Sequence, residues 1–489
     1  MKFLFVHSWQ GFSLAEWYLK EALHSRCAFP ISVRALDIPT AGIPANDFLV
    51  QAIGTWTPDA VGFSCHYWSL PAFLDAASTV KLLLPKARVL LGGPQVNSTA
   101  AAEEILMHHN AVDVVIRGAG ERPLVRVLEA IASHKPFDAV DCISFRTDNR
   151  IVHMPVRPDP EPGRGVIFHE ANTDVMQCIS SVSEVSYETV AGCRSRCAYC
   201  QYPDGNMTIL DDTLIEQELP FLCRHGVRHL RICDAHFGGT RDRAKKIFAL
   251  LGRVNRQTSI KAYPDLTHVD REYVTLARDA GIEMISIGIE STNPACLRRI
   301  GRQATHRHRA AIGLLLREFP DIPADVIVGL PGDSPEGFER TLKDVLDLGF
   351  RAINVFRLML FPGTPMGNDA ASFFDGDELH VTAQGQVLAS NAFPVSSQSL
   401  ISKMTQSACI AARLRNTRTA LLKYSASLDL MDLLQLLEPC QLLNLSAWTT
   451  SRSDPKAARH ADEIASCFAS YLAAEGPVHE ALMRDLARI

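Results

Sequence analysis

Short apolar runs of strand length alternate with amphipathic stretches of helical period through most of this 489-residue chain. Before residue 135 there are five such runs: Phe3–His7, Ile31–Ile38, Ala60–Cys65, Arg88–Gly92 and Val112–Arg117. Helical patterns lie between or after them, at Leu14–Leu23, Pro71–Leu84, Thr99–His108 and Pro123–Ser133. This alternation predicts an α/β fold with an open, doubly wound parallel sheet and helices on both faces. Ligands of such sheets bind outside the carboxyl ends of the strands.

Two further segments and a second α/β block follow. Apolar stretches at Cys142–Arg146 and Ile151–Met154, with a bend at Asp148–Asn149, predict a hairpin. Four prolines and two glycines in Pro155–Gly165 predict a linker. The alternation then resumes from about Val185, and its strands predict a partial (β/α)6 barrel: Glu188–Ala191, Val227–Cys233, Ser259–Tyr263, Met284–Ile289, Asp325–Gly329 and Ala352–Leu360.

The last part of the chain loses the alternation. Residues 396–489 are expected to be mainly helical, with an N-cap at Ser396 or Ser397 and a break at Gly476–Pro477. The predicted organisation is therefore an open-sheet domain at 1–140, a hairpin and linker at 141–184, a partial barrel at 185–367 and a helical region at 368–489.

Composition narrows the functional classes. The chain is 47% hydrophobic and 21% charged, which is typical of a globular protein. A net charge of −5 without a basic run argues against a nucleic-acid partner. The absence of an apolar run of about 20 residues argues against a membrane span. His7 interrupts the first apolar stretch, so no secretory signal is expected. A disulfide framework of the thirteen cysteines is therefore not expected, and the predicted location is the reducing cytoplasm.

Three cysteines crowd into one loop just after a predicted strand. Cys193, Cys197 and Cys200 lie within eight residues, and Gly192 before them permits a tight turn. Three thiolates can hold three irons of a cubane and leave the fourth iron open to a small molecule. A structural zinc site is the alternative, with Cys178, Cys223 or Cys233 as the fourth ligand. Three unrelated core thiols are a second alternative.

Here the chain resembles the radical S-adenosylmethionine (SAM) superfamily, whose signature is three cysteines in a CxxxCxΦC pattern, with an aromatic residue where Tyr199 stands. The resemblance covers roughly Val185 to Met366 and implies a [4Fe–4S] cluster that binds and cleaves SAM. It assigns further SAM contacts to strand ends, at Asp234, Glu290, Ser291, Val328 and Gly329. The sequence departs from the family at Ile232–Phe237, where many members carry Gly-Gly-Glu, so Asp234 is the acidic residue available there.

The first block resembles the cobalamin-binding, Rossmann-like domains that precede some radical SAM domains. The resemblance rests on Gly62–Trp68, Leu91–Pro94 and Arg117–Glu121, each after a strand. The Asp-x-His-x-x-Gly motif of methionine-synthase-type proteins is missing after the first strand, so cobalt ligation by histidine does not follow. His66 is the candidate for the lower face, and a packed His66 is the alternative. The implied cobalamin contacts are Ser8, Gln10, Ser64, His66, Trp68, Gly92, Gly93, Gly118 and Glu121.

Together the resemblances imply a cobalamin-dependent radical SAM methyltransferase of the class B type. Such enzymes transfer a methyl group from SAM via methylcobalamin to a substrate carbon, and cleave a second SAM to a 5′-deoxyadenosyl radical. Alternatives are a ring contraction, cyclisation or oxidation with the same cofactors, or a non-enzymatic metal-cluster regulator. A small-molecule or peptide substrate from natural-product biosynthesis and a flavodoxin- or ferredoxin-type reductant are implied. Substrate contacts are expected at Tyr202 and Arg357 and in the C-terminal region.

Overall fold

The computed structural model of the chain describes residues 1–9, 11–38, 45–147, 150–157, 164–202 and 207–413. The chain forms two compact units. The first unit comprises Met1–Ala262, Leu276–Glu283 and Leu360–Ala370. The second comprises Tyr263–Thr275, Met284–Met359 and the residues from Ala371 onward.

A seven-stranded sheet forms the N-terminal part of the first unit. Its strands are β1 (Lys2–His7), β2 (Ser32–Asp37), β3 (Ala60–Ser64), β4 (Arg88–Gly92), β5 (Val114–Ile116), β6 (Ile143–Arg146) and β7 (Ile151–His153). The order is β2-β1-β3-β4-β5-β6-β7, and the first five strands are parallel. The predicted hairpin forms β6 and β7, which extend this sheet antiparallel at its edge. Its bend, Asp148–Asn149, lies outside the described residues.

Both faces of this sheet are covered, as predicted. The helices are α1 (Leu14–Arg26), α2 (Ala45–Thr55), α3 (Leu70–Leu83), α4 (Thr99–His108) and α5 (Glu121–Ala132). Along β1, Leu4 and Val6 enter one hydrophobic core while Phe3 and Phe5 enter another, because successive side chains of a strand point to opposite faces. Helix α2 was not predicted from the sequence, because only two of its described side chains are deeply buried, at a spacing of four residues.

The remaining elements follow in chain order. They are α6 (Thr173–Ser181), β8 (Glu184–Tyr187), β9 (Val190–Gly192), β10 (Met207–Ile209), α7 (Asp212–Arg224), β11 (His229–Ile232), α8 (Arg241–Val254), β12 (Ser259–Ala262), α9 (Arg271–Asp279), β13 (Ile282–Met284), β14 (Ile287–Glu290), α10 (Pro294–Arg299), α11 (Arg309–Glu318), β15 (Pro323–Val328), α12 (Pro335–Leu348), β16 (Ala352–Arg357), α13 (Pro365–Asn368), α14 (Ala370–Phe373), β17 (His380–Val381), β18 (Val387–Ala389) and α15 (Gln398–Arg413).

The barrel strands form two hydrogen-bonded sheets. One has the order β13-β12-β11-β8, and the other has the order β14-β15-β16. The first barrel strand is β8, so the prediction of Glu188–Ala191 for it was wrong. Instead β9 pairs antiparallel with β10, because the Thr189 and Val190 amides donate to Asp234 rather than to a parallel neighbour. The strand predicted at Met284–Ile289 is divided between β13 and β14.

Beyond the barrel, the described residues contain more than helices. The strands β17 and β18 form an antiparallel pair before α15 begins at Gln398. Residues 414–489 lie outside the described residues, and so does the break predicted at Gly476–Pro477. Within the described ranges no helix combines the length and the apolar character that a bilayer span requires.

A buried charge network ties the segment before α6 to α7. The Glu218 carboxylate, fully buried, accepts two hydrogen bonds from the Arg164 guanidinium, at 2.8 and 2.7 Å. It also accepts from the amides of Ile167 and Phe168 and from the Tyr187 hydroxyl. A buried charge is tolerated only when its partner and its hydrogen bonds are complete. This carboxylate therefore fixes the path of the chain between the two sheets of the first unit.

We expect Glu218→Gln to lower the free energy of unfolding by about 3 kcal/mol, since it leaves the buried Arg164 cation without a counter-charge. Urea unfolding followed by circular dichroism measures this. Glu216→Gln is the matched control, because Glu216 lies on the same helix and is exposed. Equal unfolding midpoints for the two variants would contradict the role assigned to Glu218.

Candidate functional site

The three-cysteine loop begins where β9 ends. Gly192 has a φ of +85°, a left-handed conformation that favours glycine. The Ser195 amide donates to Cys193 Sγ at 3.4 Å, and the Tyr202 amide donates to Cys200 Sγ at 3.5 Å. Amide donors to sulfur stabilise the thiolate form, which is the form that binds a metal. Two of the three thiols in the loop therefore have an amide donor that favours the metal-binding form.

The Cys193 thiol has the further support of His236. Burial raises the pKa of this thiol, but hydrogen bonds from His236 and Ser195 outweigh burial, and the net shift is downward. In the described part of the chain, no three His, Cys, Asp or Glu side chains are gathered to hold a single metal ion. A cubane does not require that arrangement, because each cysteine binds a separate iron.

A buried clamp holds the chain just before the cysteine loop. Asp234 is 1% exposed and accepts from the amides of Thr189 at 2.7 Å, Val190 at 3.1 Å and Gly238 at 3.0 Å, and from the Thr189 hydroxyl. Arg243 donates to the Thr189 and Gly238 carbonyls from the other side. In the described structure, the hydrogen bonds of Asp234 therefore position the entry to the loop.

Glu188 was not predicted as a site residue, because it lies in a stretch that was predicted to be a regular strand. It lies between β8 and β9 and is partly buried. Burial raises the pKa of its carboxyl group to about 7, and the charges of Asp234 and Glu121 add to the effect. A carboxyl group that titrates near neutral pH beside the cysteine loop is a candidate for proton transfer.

The predicted cobalamin contacts lie at the carboxyl edge of the seven-stranded sheet. Ser8 follows β1, Ser64 ends β3, Gly92 ends β4, Gly118 lies between β5 and α5, and Glu121 begins α5. Gly93 has a φ of +104°, and a Cβ there would lie 2.7 Å from the Cys65 carbonyl oxygen, so only glycine fits. Gln10 lies outside the described residues. The structure thus brings the described members of this set to one edge.

Aromatic side chains cover part of this edge. The His66 and Trp68 rings stack with centroids 4.4 Å apart, and the Trp68 indole N–H donates to Ser8 Oγ at 3.1 Å. Trp9, Tyr67 and Trp68 are 46%, 40% and 38% exposed, which leaves flat apolar faces open to a ligand. Burial, with the charge of His7, lowers the pKa of His66 to about 4, so this imidazole is neutral at pH 7.

A buried ion network lies beneath the aromatic rings. His7 Nε2 lies 3.1 Å from Glu16 Oε2, and His7 Nδ1 lies 3.4 Å from Asp37 Oδ1. Burial alone disfavours the imidazolium, but the hydrogen bonds and charges of Asp37 and Glu16 outweigh it and raise the pKa of His7 to about 9. Lys20 completes the network at 2.6 Å from Glu16. The first strand therefore ends on a buried positive charge.

The cysteine loop contacts the carboxyl edge of the seven-stranded sheet within the first unit. Gln201, the residue after Cys200, donates to the Pro94 carbonyl at 3.2 Å. The segment that ends the barrel joins the same contact, since the Met366 amide donates to the Ala198 carbonyl and the Phe361 ring lies 5.7 Å from the Tyr67 ring. No sequence pattern marked Gln201, because a single glutamine has no periodicity or spacing to recognise.

The second unit holds the other predicted SAM contacts. Glu290 has a φ of +63°, which is rare for a residue with a side chain and is often found at functional sites. Its Oε1 lies 3.3 Å from Arg302 Nη2. Ser291 is buried and accepts from the Asn293 amide. Val328 ends β15 and Gly329 follows it with a φ of +86°.

The two predicted substrate contacts have different surroundings. Tyr202 is 44% exposed in the first unit, and its hydroxyl donates to the Cys233 carbonyl at 3.4 Å. Arg357 ends β16 in the second unit and donates to Leu388 and Gln398. Tyr202 therefore lies beside the cysteine loop and Arg357 at a strand end, and their contact with a substrate stays a prediction.

Protein-family models match both α/β blocks of the chain. Residues 187–345 match the model of the Radical SAM superfamily, and residues 10–128 match the model of the B12 binding domain. The chain joins a B12-binding domain to a radical SAM domain. The predicted cofactors are confirmed at this level, since a radical SAM domain implies [4Fe–4S] and SAM and a B12-binding domain implies cobalamin.

Two similar curated proteins are methyltransferases. One is the 2-(S-pantetheinyl)-carbapenam-3-carboxylate methyltransferase of Streptantibioticus cattleyicolor, 26% identical over 65% of this chain and 49% of the relative. The other is the cobalamin-dependent radical SAM methyltransferase TokK of Streptomyces tokunonensis, 24% identical over the same shares. The chain spans about half the length of these relatives.

Solved structures share the fold. TsrM from Kitasatospora setae, a radical SAM methyltransferase solved with cobalamin and a [4Fe–4S] cluster, has a TM-score of 0.65 at 18% identity and covers 76% of this chain and 78% of its own. The cobalamin-dependent radical enzyme OxsB has a TM-score of 0.67 at 12% identity, over 99% and 83%. The predicted fold class is therefore confirmed.

We expect Asp234→Asn to destabilise the radical SAM domain by about 2 kcal/mol, because an amide N–H₂ would face the Gly238 N–H and leave it without an acceptor. Iron bound per chain after anaerobic reconstitution should fall as well, since the loop entry moves. Urea unfolding and iron analysis measure the two effects. Asp138→Asn is the matched control at an exposed aspartate. Unchanged stability would contradict the clamp.

The His7 network makes the stability of the B12-binding domain depend on pH. Because its pKa is raised in the folded state, the stabilisation is complete below the unfolded pKa of 6.5 and is lost as the pH rises through about 9. We expect a loss of up to about 3 kcal/mol across that window. Urea unfolding of the native protein and His7→Gln at pH 7 and pH 9.5 measures it. The variant should lack this component, and parallel pH profiles would contradict the network.

Proposed function

We propose that the chain is a cobalamin-dependent radical SAM methyltransferase. In this proposal a methyl group passes from SAM through cobalamin to a substrate carbon, and a second SAM is cleaved to a 5′-deoxyadenosyl radical. One observation carries the proposal. Gln201, next to the third cysteine, bonds to the Gly-Gly-Pro loop at the carboxyl edge of the seven-stranded sheet. The contact brings a loop suited to an iron–sulfur cluster beside an edge suited to a corrin.

The residues of the cysteine loop fit a [4Fe–4S] cluster. Cys193, Cys197 and Cys200 supply three thiolates, and the amide donors to sulfur and the bond from His236 favour the charged form. When bound, the cluster supplies the electron that cleaves SAM. The chain contributes by holding the loop entry through Asp234 and by excluding water at Cys197, which is 8% exposed. Tyr199 is assigned to shield the cluster and contact SAM.

The carboxyl edge of the seven-stranded sheet fits a large planar ligand. Gly92, Gly93 and Gly118 let the backbone approach closely, and the exposed faces of Trp9 and Trp68 offer apolar area for the corrin. His66 is neutral, stacked on Trp68, and has no ring hydrogen bond to any described residue. It remains our candidate for the lower face of cobalamin.

In the second unit the proposal assigns the SAM ribose to Glu290. The carboxylate lies 3.3 Å from the Arg302 guanidinium, and a carboxylate is a suitable acceptor for the two hydroxyl donors of a ribose. Its left-handed backbone is held by a bulge, since the pairing of β14 with β15 shifts register between Gly288 and Glu290. Ser291, Val328 and Gly329 are assigned to the same ligand.

The substrate belongs to the small molecules or peptides of natural-product biosynthesis. Support comes from two similar proteins: one is a carbapenam-3-carboxylate methyltransferase, and the other, TsrM, has been solved with tryptophan as its substrate. Tyr202 and Arg357 are its proposed contacts. We also propose a flavodoxin- or ferredoxin-type reductant, since a low-potential cluster must be reduced again after each turnover. The proposed location is the cytoplasm.

The proposal predicts two reactions that need no substrate, the methylation of cobalamin and the cleavage of SAM. With cobalamin, methyl-labelled SAM and a reductant under anaerobic conditions, we expect label on the bound cobalamin, S-adenosylhomocysteine, and slow release of 5′-deoxyadenosine. Chromatography with mass spectrometry measures all three. Replacing Cys193, Cys197 and Cys200 together by alanine should abolish the 5′-deoxyadenosine, whereas Cys27→Ala, outside the loop, should leave it unchanged.

The outcomes separate the alternatives. Cleavage of SAM to 5′-deoxyadenosine without label on cobalamin would favour a ring contraction, cyclisation or oxidation. If neither reaction occurs and the chain binds no iron, the result would favour a non-enzymatic regulator and would overturn the proposal.

A further inference from the structure

A pocket in the second unit lies at the ends of β15 and β16. Ten residues line it, and the space between them is small and open to solvent. Six of them are apolar and two are neutral polar residues; Gly329 and Arg357 complete the lining. A small, open space of this kind admits a head group, with the rest of the ligand lying outside it.

Arg357 is the charged member of this lining. Its Nη1 donates to the Leu388 carbonyl at 3.3 Å, and its Nη2 donates to Gln398 Oε1 at 2.6 Å. Both acceptors are neutral, and no carboxylate of the described residues pairs with this guanidinium. A guanidinium has five N–H donors, so three remain after these two bonds.

The two bonds hold the cation in place without neutralising it. Gln398 is in turn held by bonds from its Nε2 to the Phe393 and Pro394 carbonyls. The walls beside it are well packed, since Val387, Phe393 and Ile401 are 2–3% exposed. An oriented cation with free donors, beside apolar side chains, favours an anion over a neutral ligand.

We propose that this pocket binds an anionic head group, a carboxylate or a phosphate, that the substrate carries on an apolar body. The inference names the substrate class of the proposed function and rests on it. It also assigns a task to the residues after the barrel: β18 and the start of α15 form the wall of the pocket, and Gln398 orients the guanidinium.

The test uses the full chain and three probes: phenylacetate, phenyl phosphate and the neutral phenylacetamide. Titrations followed by ligand-observed NMR give the dissociation constants. We expect at least one anion to bind about tenfold more tightly than the amide, because hydrogen bonds to charged groups are the stronger ones. The stronger of the two anions identifies the head group as carboxylate or phosphate.

Two variants locate this binding. Arg357→Gln should weaken the anion about tenfold, while Arg317→Gln, at an exposed arginine of the same unit, should not. Gln398→Glu keeps Arg357 but places a carboxylate beside it, and should weaken the anion to a similar degree. A glutamate at the first residue of α15 suits the helix dipole, so this variant should fold.

Equal binding of the amide and both anions, or anion binding that is unchanged in Arg357→Gln and Gln398→Glu, would overturn the inference. Val328 and Gly329 line this pocket and are also assigned to SAM, so displacement of the anion by SAM would overturn the inference and leave the pocket to the cofactor. The experiment needs neither cluster nor turnover. Anion binding in a chain that fails to label cobalamin would therefore refute the proposed methyl transfer but not the pocket.

Discussion

Four hydrogen bonds to one buried carboxylate decide where the first barrel strand stops and the cysteine loop starts. Asp234 satisfies the amides of Thr189 and Val190, which a longer β8 would have given to a neighbouring strand. The chain is released from the parallel sheet, pairs briefly with β10, and turns at Gly192 into the loop. Arg243 binds the same segment from the other side. The geometry of the cysteine loop thus depends on Asp234, which follows the first of the three cysteines by 41 positions.

Paired buried charges also lie at the carboxyl edge of the seven-stranded sheet. The buried imidazolium of His7 is balanced by Glu16 and Asp37, and its field helps to keep His66 neutral. The aromatic rings above it are only partly covered. A neutral, apolar surface over a fixed charge suits a flat ligand better than a water-filled cleft does, because a packed apolar face excludes solvent.

In the second unit, strain and charge are concentrated at strand ends. Glu290 adopts a left-handed backbone next to a β-bulge, and Arg357 keeps three donors free of described partners. The left-handed backbone of Glu290 costs free energy, and such costs are typical of ligand sites. The described residues after the barrel contribute here through Gln398, which lines the pocket and bonds to Arg357.

The sequence alone determined the alternating architecture, the cysteine loop and the glycines of the sheet edge. These are local signals: a period of two or 3.6 residues, a spacing of eight residues, and glycine where φ is positive. Only the tertiary structure decided that Asp234 clamps the loop entry, that Gln201 joins the two domains, that Glu188 lies outside a strand and that Gln398 orients Arg357. Each of these depends on a hydrogen bond or a charge between residues far apart in sequence, and no local pattern records which partner a side chain meets.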